Sequence, residues 1–183
     1  MTASGVDAGQ PLVVGLGSPD RGDDAVGPAI ARRVAALRLP GIDVVEREDP
    51  TSLIDLWDGR DLAVVVDAVS SDGVPGALLI LESGVGAPLQ QDAGTRTGRG
   101  GTHSFGLAAA VELSRALNRL PRRLVLIGIE AGGMEHGEPL SAPVGRAVER
   151  AVEAVCGFLS EPDEERAGPA AEEVAADVSG RVG

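Results

Sequence analysis

Three stretches of this chain, Pro11–Leu16 (PLVVGL), Leu62–Asp67 (LAVVVD) and Leu124–Glu130 (LVLIGIE), are apolar almost without interruption. A strand with one wet face alternates apolar and polar residues, whereas a strand that does not alternate has to be covered on both faces. Helical periodicity fills the intervals and supplies the cover. Asp24–Leu37 places Val26, Ile30, Val34 and Leu37 on one stripe, and Ser52–Trp57 gives a short helical piece. Ser104–Leu117 groups Leu107, Ala110, Val111 and Leu117, while Pro143–Leu159 groups Val144, Val148, Val152 and Val155 behind a proline suited to a first helical turn. Two more strands are expected. Ile42–Arg47 alternates more and reads as lying nearer an edge. Ala77–Glu82 follows a connection, Val69–Gly76, too short for a helical crossover, so it should run antiparallel to its predecessor. The expected fold is α/β: a single three-layer domain with a mostly parallel five-stranded twisted sheet, one antiparallel strand and helices on both faces.

At 183 residues the chain is long enough for one such core without disulfides or a structural metal. The expected body is residues 1–159. Residues 160–183 carry seven acids, two Arg and no Leu, Ile, Met or aromatic residue, so an acidic, disordered tail is expected there. Residues 83–101 are Gly-rich with no period and read as a mobile surface loop, a candidate lid. Every basic residue is Arg and the net charge is −12, which argues against nucleic acid or an anionic membrane surface as the main partner. The lone Cys156 excludes an intramolecular disulfide framework and a thiolate zinc cage, and its apolar neighbours suggest a core position. No apolar run approaches the ~18 residues of a membrane span. The first ten residues carry no basic segment of a signal peptide, and a cytoplasmic location is expected.

In open α/β sheets, ligands bind at the carboxyl ends of the parallel strands. That rule selects Gly15–Gly27 (GLGSPDRGDDAVG), Asp67 with the AVSSDG that follows, and His103 in GGTHSFGL. The GLG turn resembles part of a dinucleotide fingerprint, but Pro19–Asp24 brings three acids to the place of a pyrophosphate, so dinucleotide and P-loop readings fail electrostatically. The glycines imply a sharp turn and a close approach of the backbone to something. Of the paired acids, Asp23 is expected to cap the helix that follows, leaving Asp24 free to address the crevice. Asp67 is either a turn-forming residue or a site carboxylate. His103, in a first helical turn, is disfavoured as a cation and so pushed toward the neutral, metal-binding form. Two carboxylates and an imidazole on separate loops of one edge make a plausible open three-ligand site for a borderline divalent ion. Glu130 ends its strand at the same edge and is a candidate support for the site. His136 reads as an exposed loop residue. No G-x-S-x-G elbow, Walker A or HExxH occurs.

Taken in order, GLGSPDRGDDAVG, VVVDAV, THSFGL, LIGIE and GEPLS resemble the hydrogenase maturation endopeptidases from about Leu12 to Leu159. The resemblance implies an enzyme that removes a C-terminal extension from the large-subunit precursor of a nickel–iron hydrogenase. It implies that Asp24, Asp67 and His103 bind nickel already inserted in that precursor, as catalytic and metal-binding residues together. No organic cofactor is implied; the metal belongs to the substrate and serves as recognition element and Lewis acid. A monomer is expected, and Arg96 and Arg99 are candidates for gripping an acidic or C-terminal carboxylate of the precursor. Two other readings stay open on the residues themselves: a non-catalytic metal-dependent binding or chaperone module, and a self-contained metallohydrolase with its own zinc or a nucleoside-type enzyme of similar architecture.

Overall fold

The computed structural model describes residues 9–84 and 102–161, and of 102–105 the backbone only. The chain runs β1 (Leu12–Leu16), α1 (Val26–Ala36), β2 (Asp43–Arg47), α2 (Leu53–Leu56), β3 (Leu62–Val69), β4 (Leu78–Gly84), α3 (Thr102–Ala116), β5 (Arg123–Glu130) and α4 (Ala142–Ser160). Single 3-10 turns, Gly22–Ala25 and Pro50–Ser52, lead into α1 and α2. The strands form one sheet in the order β2-β1-β3-β5-β4, parallel except for β4 against β5.

Unbroken apolar strands serve two cores because successive side chains leave opposite faces. Val13, Val64, Val66, Val125 and Ile127 pack with Val26, Ile30 and Val34 of α1 and Val144, Ala147, Ala151 and Val155 of α4. On the other face Leu12, Val14, Leu16, Ala63, Val65 and Leu124 meet Leu53 of α2, Trp57, and Leu107, Ala110 and Val111 of α3. Burying a side chain of this size stabilises the fold by roughly 1.5–3 kcal/mol. Trp57 is fully buried and its Nε1 donates to Ser114 Oγ at 3.0 Å. The expected three layers are therefore present.

Several details differ from the expectation. Leu37 and Leu117, the last residues of their apolar stripes, are 51% and 52% exposed, because each lies beyond the end of its helix. The β4 strand runs antiparallel as expected but does not pair with β3; β5 lies between them. The strand β5 is apolar enough to be covered on both faces, whereas β4 carries Ile80 and Glu82 exposed and fits the edge. Cys156 is half-buried on the flank of α4 rather than in the core. The last helix, α4, reaches Ser160, one residue beyond the expected Leu159, and Glu161 pairs with Arg123. Ser83 and Gly84 belong to β4, while the rest of the expected loop, with Arg96 and Arg99, and the tail from residue 162 lie outside the described residues. No helix among the described residues is long and apolar enough to cross a membrane.

The crossover from β1 through α1 reaches β2 on one side, and the next, through α2, returns to β3 on the other. The chain thus reverses direction across the sheet between β1 and β3, and in open α/β sheets the ligand crevice lies outside the carboxyl ends of the strands at such a switch point.

Candidate active site

Close packing brings Asp24 to this crevice. A Cβ on Gly27 would meet the carbonyl oxygens of Leu16 and Val66, the latter at 2.6 Å; one on Gly15 would meet Gly27 O and, at 2.7 Å, Ala31 Cβ. Gly17, at φ +129°, has the carbonyl of Asp24 where its own Cβ would stand. What the glycine-rich turn approaches closely is therefore its own following helix. With side chains at 15, 17 and 27, α1 could not seat on β1 and β3, and the 3-10 turn carrying Asp24 would be lifted off the sheet end.

Asp24 is 1% exposed, and its Oδ2 accepts the Ser18 amide at 2.9 Å. Near enough to feel its charge is Asp67, 2% exposed. The strand does not end at Asp67 but continues to Val69, so the carboxylate projects from within β3 rather than from a turn. Its place in the alternation, two residues beyond Val65, assigns it to the face covered by α2 and α3. Neither Asp67 oxygen has a hydrogen-bond partner among the described residues. Burial, and then the neighbouring charge of Asp24, push its pKa up to about 8; the Ala68 amide, short of hydrogen-bonding geometry, offsets only part of this. A buried, unpartnered carboxylate is costly to a fold, so a group of this kind in a crevice points to a ligand that completes it.

The backbone of His103 lies in the first turn of α3. One turn later, Gly106 packs on the Pro50 ring, where a Cβ would stand 3.1 Å from Cγ. Pro50 follows β2 at its carboxyl end, so the start of α3 stands at the sheet edge that also holds Asp24 and Asp67. The structure brings together the two carboxylates and the helix start that bears His103; the imidazole itself lies outside the described side chains. Among the described residues no three His, Cys, Asp or Glu side chains form a metal-holding group.

Asp23 departs from expectation. It makes no cap to its own helix. Its carboxylate instead accepts from Gly132 N, Gly133 N, Ser141 N and Ser141 Oγ, between 2.6 and 3.2 Å, across to the loop joining β5 to α4. Glu130 holds the loop after β3: it accepts from Ser71 N at 2.8 Å, Ser71 Oγ at 2.6 Å and Gly73 N at 3.0 Å. Burial works to raise the Glu130 pKa, but the bonds from the Ser71 hydroxyl and the two amides outweigh it and hold the carboxyl below its usual range. The roles of Ser71 and Ser141 as donors to these two carboxylates are not legible in the sequence pattern. The SSDG turn directly after β3 is the available signal for the first, whereas Ser141 before α4 has the look of a plain helix cap. His136 is exposed on the β5–α4 loop, as expected.

The family model of the HycI hydrogenase maturation proteases matches residues 48–158, more than half of the chain. The fold is similar to that of the hydrogenase maturating endopeptidase HybD from Escherichia coli, with 25% identity, a TM-score of 0.67, and coverage of 82% of this chain and 91% of that one. An endopeptidase from Escherichia coli known in solution gives 29% identity and a TM-score of 0.64, over 81% of this chain and 90% of the other. The [NiFe] hydrogenase maturation protease HycI from Thermococcus kodakarensis gives 25% and 0.61, over 83% and 93%. Against curated protein sequences the chain finds no match. With the fold, the crevice and the family match in agreement, the chain belongs to the hydrogenase maturation proteases, a family of endopeptidases.

Proposed function

We propose that this endopeptidase removes the C-terminal extension of a nickel–iron hydrogenase large-subunit precursor, and that Asp24, Asp67 and His103 grip the nickel carried by that precursor. The observation that carries the reading is Asp67, whose two oxygens are buried without partners beside Asp24 at the switch point of the sheet. Two carboxylates and an imidazole suit a borderline divalent ion, and ligands on three separate elements leave open the positions that the precursor's own ligands occupy. The nickel would polarise the scissile carbonyl or lower the pKa of a bound water.

Without a cation, Asp67 holds its proton at neutral pH and the two acids avoid facing each other as anions. A metallated precursor displaces that proton, whereas an unmetallated one meets a neutral carboxyl with nothing to grip. Recognition of a finished metal centre is thereby coupled to cleavage. The protein would act in the cytoplasm as a monomer with the precursor as partner.

Incubation of nickel-loaded precursor with the enzyme, followed by intact-mass measurement, tests the reading. Loss of a C-terminal peptide with the unaltered enzyme is expected, and no loss with Asp24→Asn, Asp67→Asn or His103→Ala at unchanged folding. Normal cleavage by any of the three variants removes that residue from the site, and an uncut precursor with the unaltered enzyme overturns the function.

A further inference from the structure

Two adjacent acids, Asp23 and Asp24, are each only 1% exposed, yet they face different parts of the molecule. Asp23 Oδ2 accepts from Gly132 N at 2.7 Å, Gly133 N at 3.2 Å and Ser141 Oγ at 2.9 Å, and Oδ1 accepts from Ser141 N at 2.6 Å. A carboxylate offers about four lone-pair sites, so these four donors leave Asp23 nothing for a metal or a water. Backbone bonds run beside them, from Gly22 N to Glu138 O at 3.0 Å, Asp23 N to Gly133 O at 2.9 Å and Gly137 N to Asp20 O at 2.8 Å. Ser141 stands at the N-cap of α4 but gives its helix no side-chain cap; its hydroxyl is committed to Asp23 instead. A Ser cap stabilises the helix it starts, so the cross-link takes precedence over a local bond the sequence could have made.

We infer that Asp23 is a positioning residue for Asp24, acting by anchoring the turn that carries Asp24 to the loop between β5 and α4. The inference rests on the assignment of Asp24 to the metal-gripping site. The 22–25 turn is held from one side by the seating of α1 through Gly17 and Gly27 and from the other by the Asp23 carboxylate. Asp24 is the next residue on that turn, and the direction of its carboxylate follows the turn's orientation. Asn at position 23 would keep the size but present an NH2 group to at least one of the four donors, so the turn would have to rotate or release the loop.

A double-mutant cycle separates this role from a merely structural one. The readout is the dissociation constant of the nickel-loaded precursor, measured for the unaltered protein, Asp23→Asn, Asp24→Asn and the double variant, with melting temperatures alongside. Val155→Ala, a core substitution several turns along α4, serves as the stability-matched control. Loss of a charge-assisted anchor predicts about tenfold weaker binding for Asp23→Asn in the unaltered background and less than about twofold in the Asp24→Asn background. The control should leave binding unchanged at a comparable fall in melting temperature.

A tenfold effect in both backgrounds, or none in the first, overturns the inference while leaving Asp24 in the site. Normal binding and cleavage by Asp24→Asn overturn the assignment of Asp24 and this inference with it. Should Asp23→Asn not fold, Ser141→Ala removes one donor and keeps the carboxylate. It is expected to weaken binding about threefold in the unaltered background only, and an equal effect in both backgrounds is the refuting result.

Discussion

Asp67→Asn should make this enzyme inactive and more stable at once, with a stability gain that depends on pH. In the folded protein burial and the Asp24 charge raise the Asp67 pKa from 3.8 to about 8. The folded state therefore keeps a proton that the unfolded chain gives up above pH 3.8, and each pH unit between these values costs the native state stability. At ~1.4 kcal/mol per unit the full shift sets a ceiling of about 5–6 kcal/mol, reached above the folded pKa. Water entry and relaxation around an ionised carboxylate reduce this, so a realistic gain for Asn is about 2–3 kcal/mol at pH 8.5 and under about 1 kcal/mol at pH 5. Asn carries no charge in either state, and its buried amide is as poorly partnered as the neutral carboxyl it replaces, so that cost cancels. In a domain of this size 2–3 kcal/mol raises the melting temperature by about 5–10 °C. Thermal or urea unfolding of both proteins across pH 5–9 gives the comparison directly. The gap in favour of Asn should widen with rising pH and level off above the folded pKa. A gap that is constant with pH, or that favours Asp at pH 8.5, would refute the account of Asp67 as an uncompensated buried acid.

Other substitutions test the parts that hold the crevice. Gly27→Ala places a Cβ against the Leu16 and Val66 carbonyls, which cannot yield without parting α1 from the sheet; it should cost about 2–3 kcal/mol and abolish cleavage, whereas Gly145→Ala, with nothing near, should stabilise by about 0.5–1 kcal/mol in urea unfolding. Glu130→Gln sets an NH2 group against donors from Ser71 and Gly73 and should cost about 1.5–3 kcal/mol at neutral pH while slowing precursor cleavage. Because the folded Glu130 pKa is lowered, its contribution is present above the ordinary value of 4.5 and lost as pH falls below it, so the penalty should shrink in acid. Trp57→Phe leaves the buried Ser114 hydroxyl without its indole donor and should cost about 1–2 kcal/mol, part of which a second substitution, Ser114→Ala, restores.

How much of this could be read without coordinates follows from how far apart the interacting groups lie in the chain. Local patterns carry strand and helix identity, so Leu62–Val69 and Arg123–Glu130 announce themselves as strands covered on both faces, and their order with α1 and α4 implies a layered α/β domain. The same patterns mislead at helix ends, where Leu37 and Leu117 keep the period after the helix has stopped facing the sheet. The topological rule for open sheets was enough to single out Asp24, Asp67 and the start of α3.

The sequence by itself determined the fold class, the family and the residues at the crevice, because period, strand order and a run of motifs are properties of neighbouring positions. Only the tertiary structure decided that β5 stands between β3 and β4, since an apolar strand gains most from a central place and β4, with Ile80 and Glu82 exposed, is suited to the rim. It also decided the division of labour between two adjacent, equally buried acids. Asp23 is spent on donors more than a hundred residues away, from Gly132 to Ser141, and nothing local to GDD records that demand. Asp67 is left with none among the described residues, and its missing partners, visible only in three dimensions, are the observation on which the proposed metal site rests.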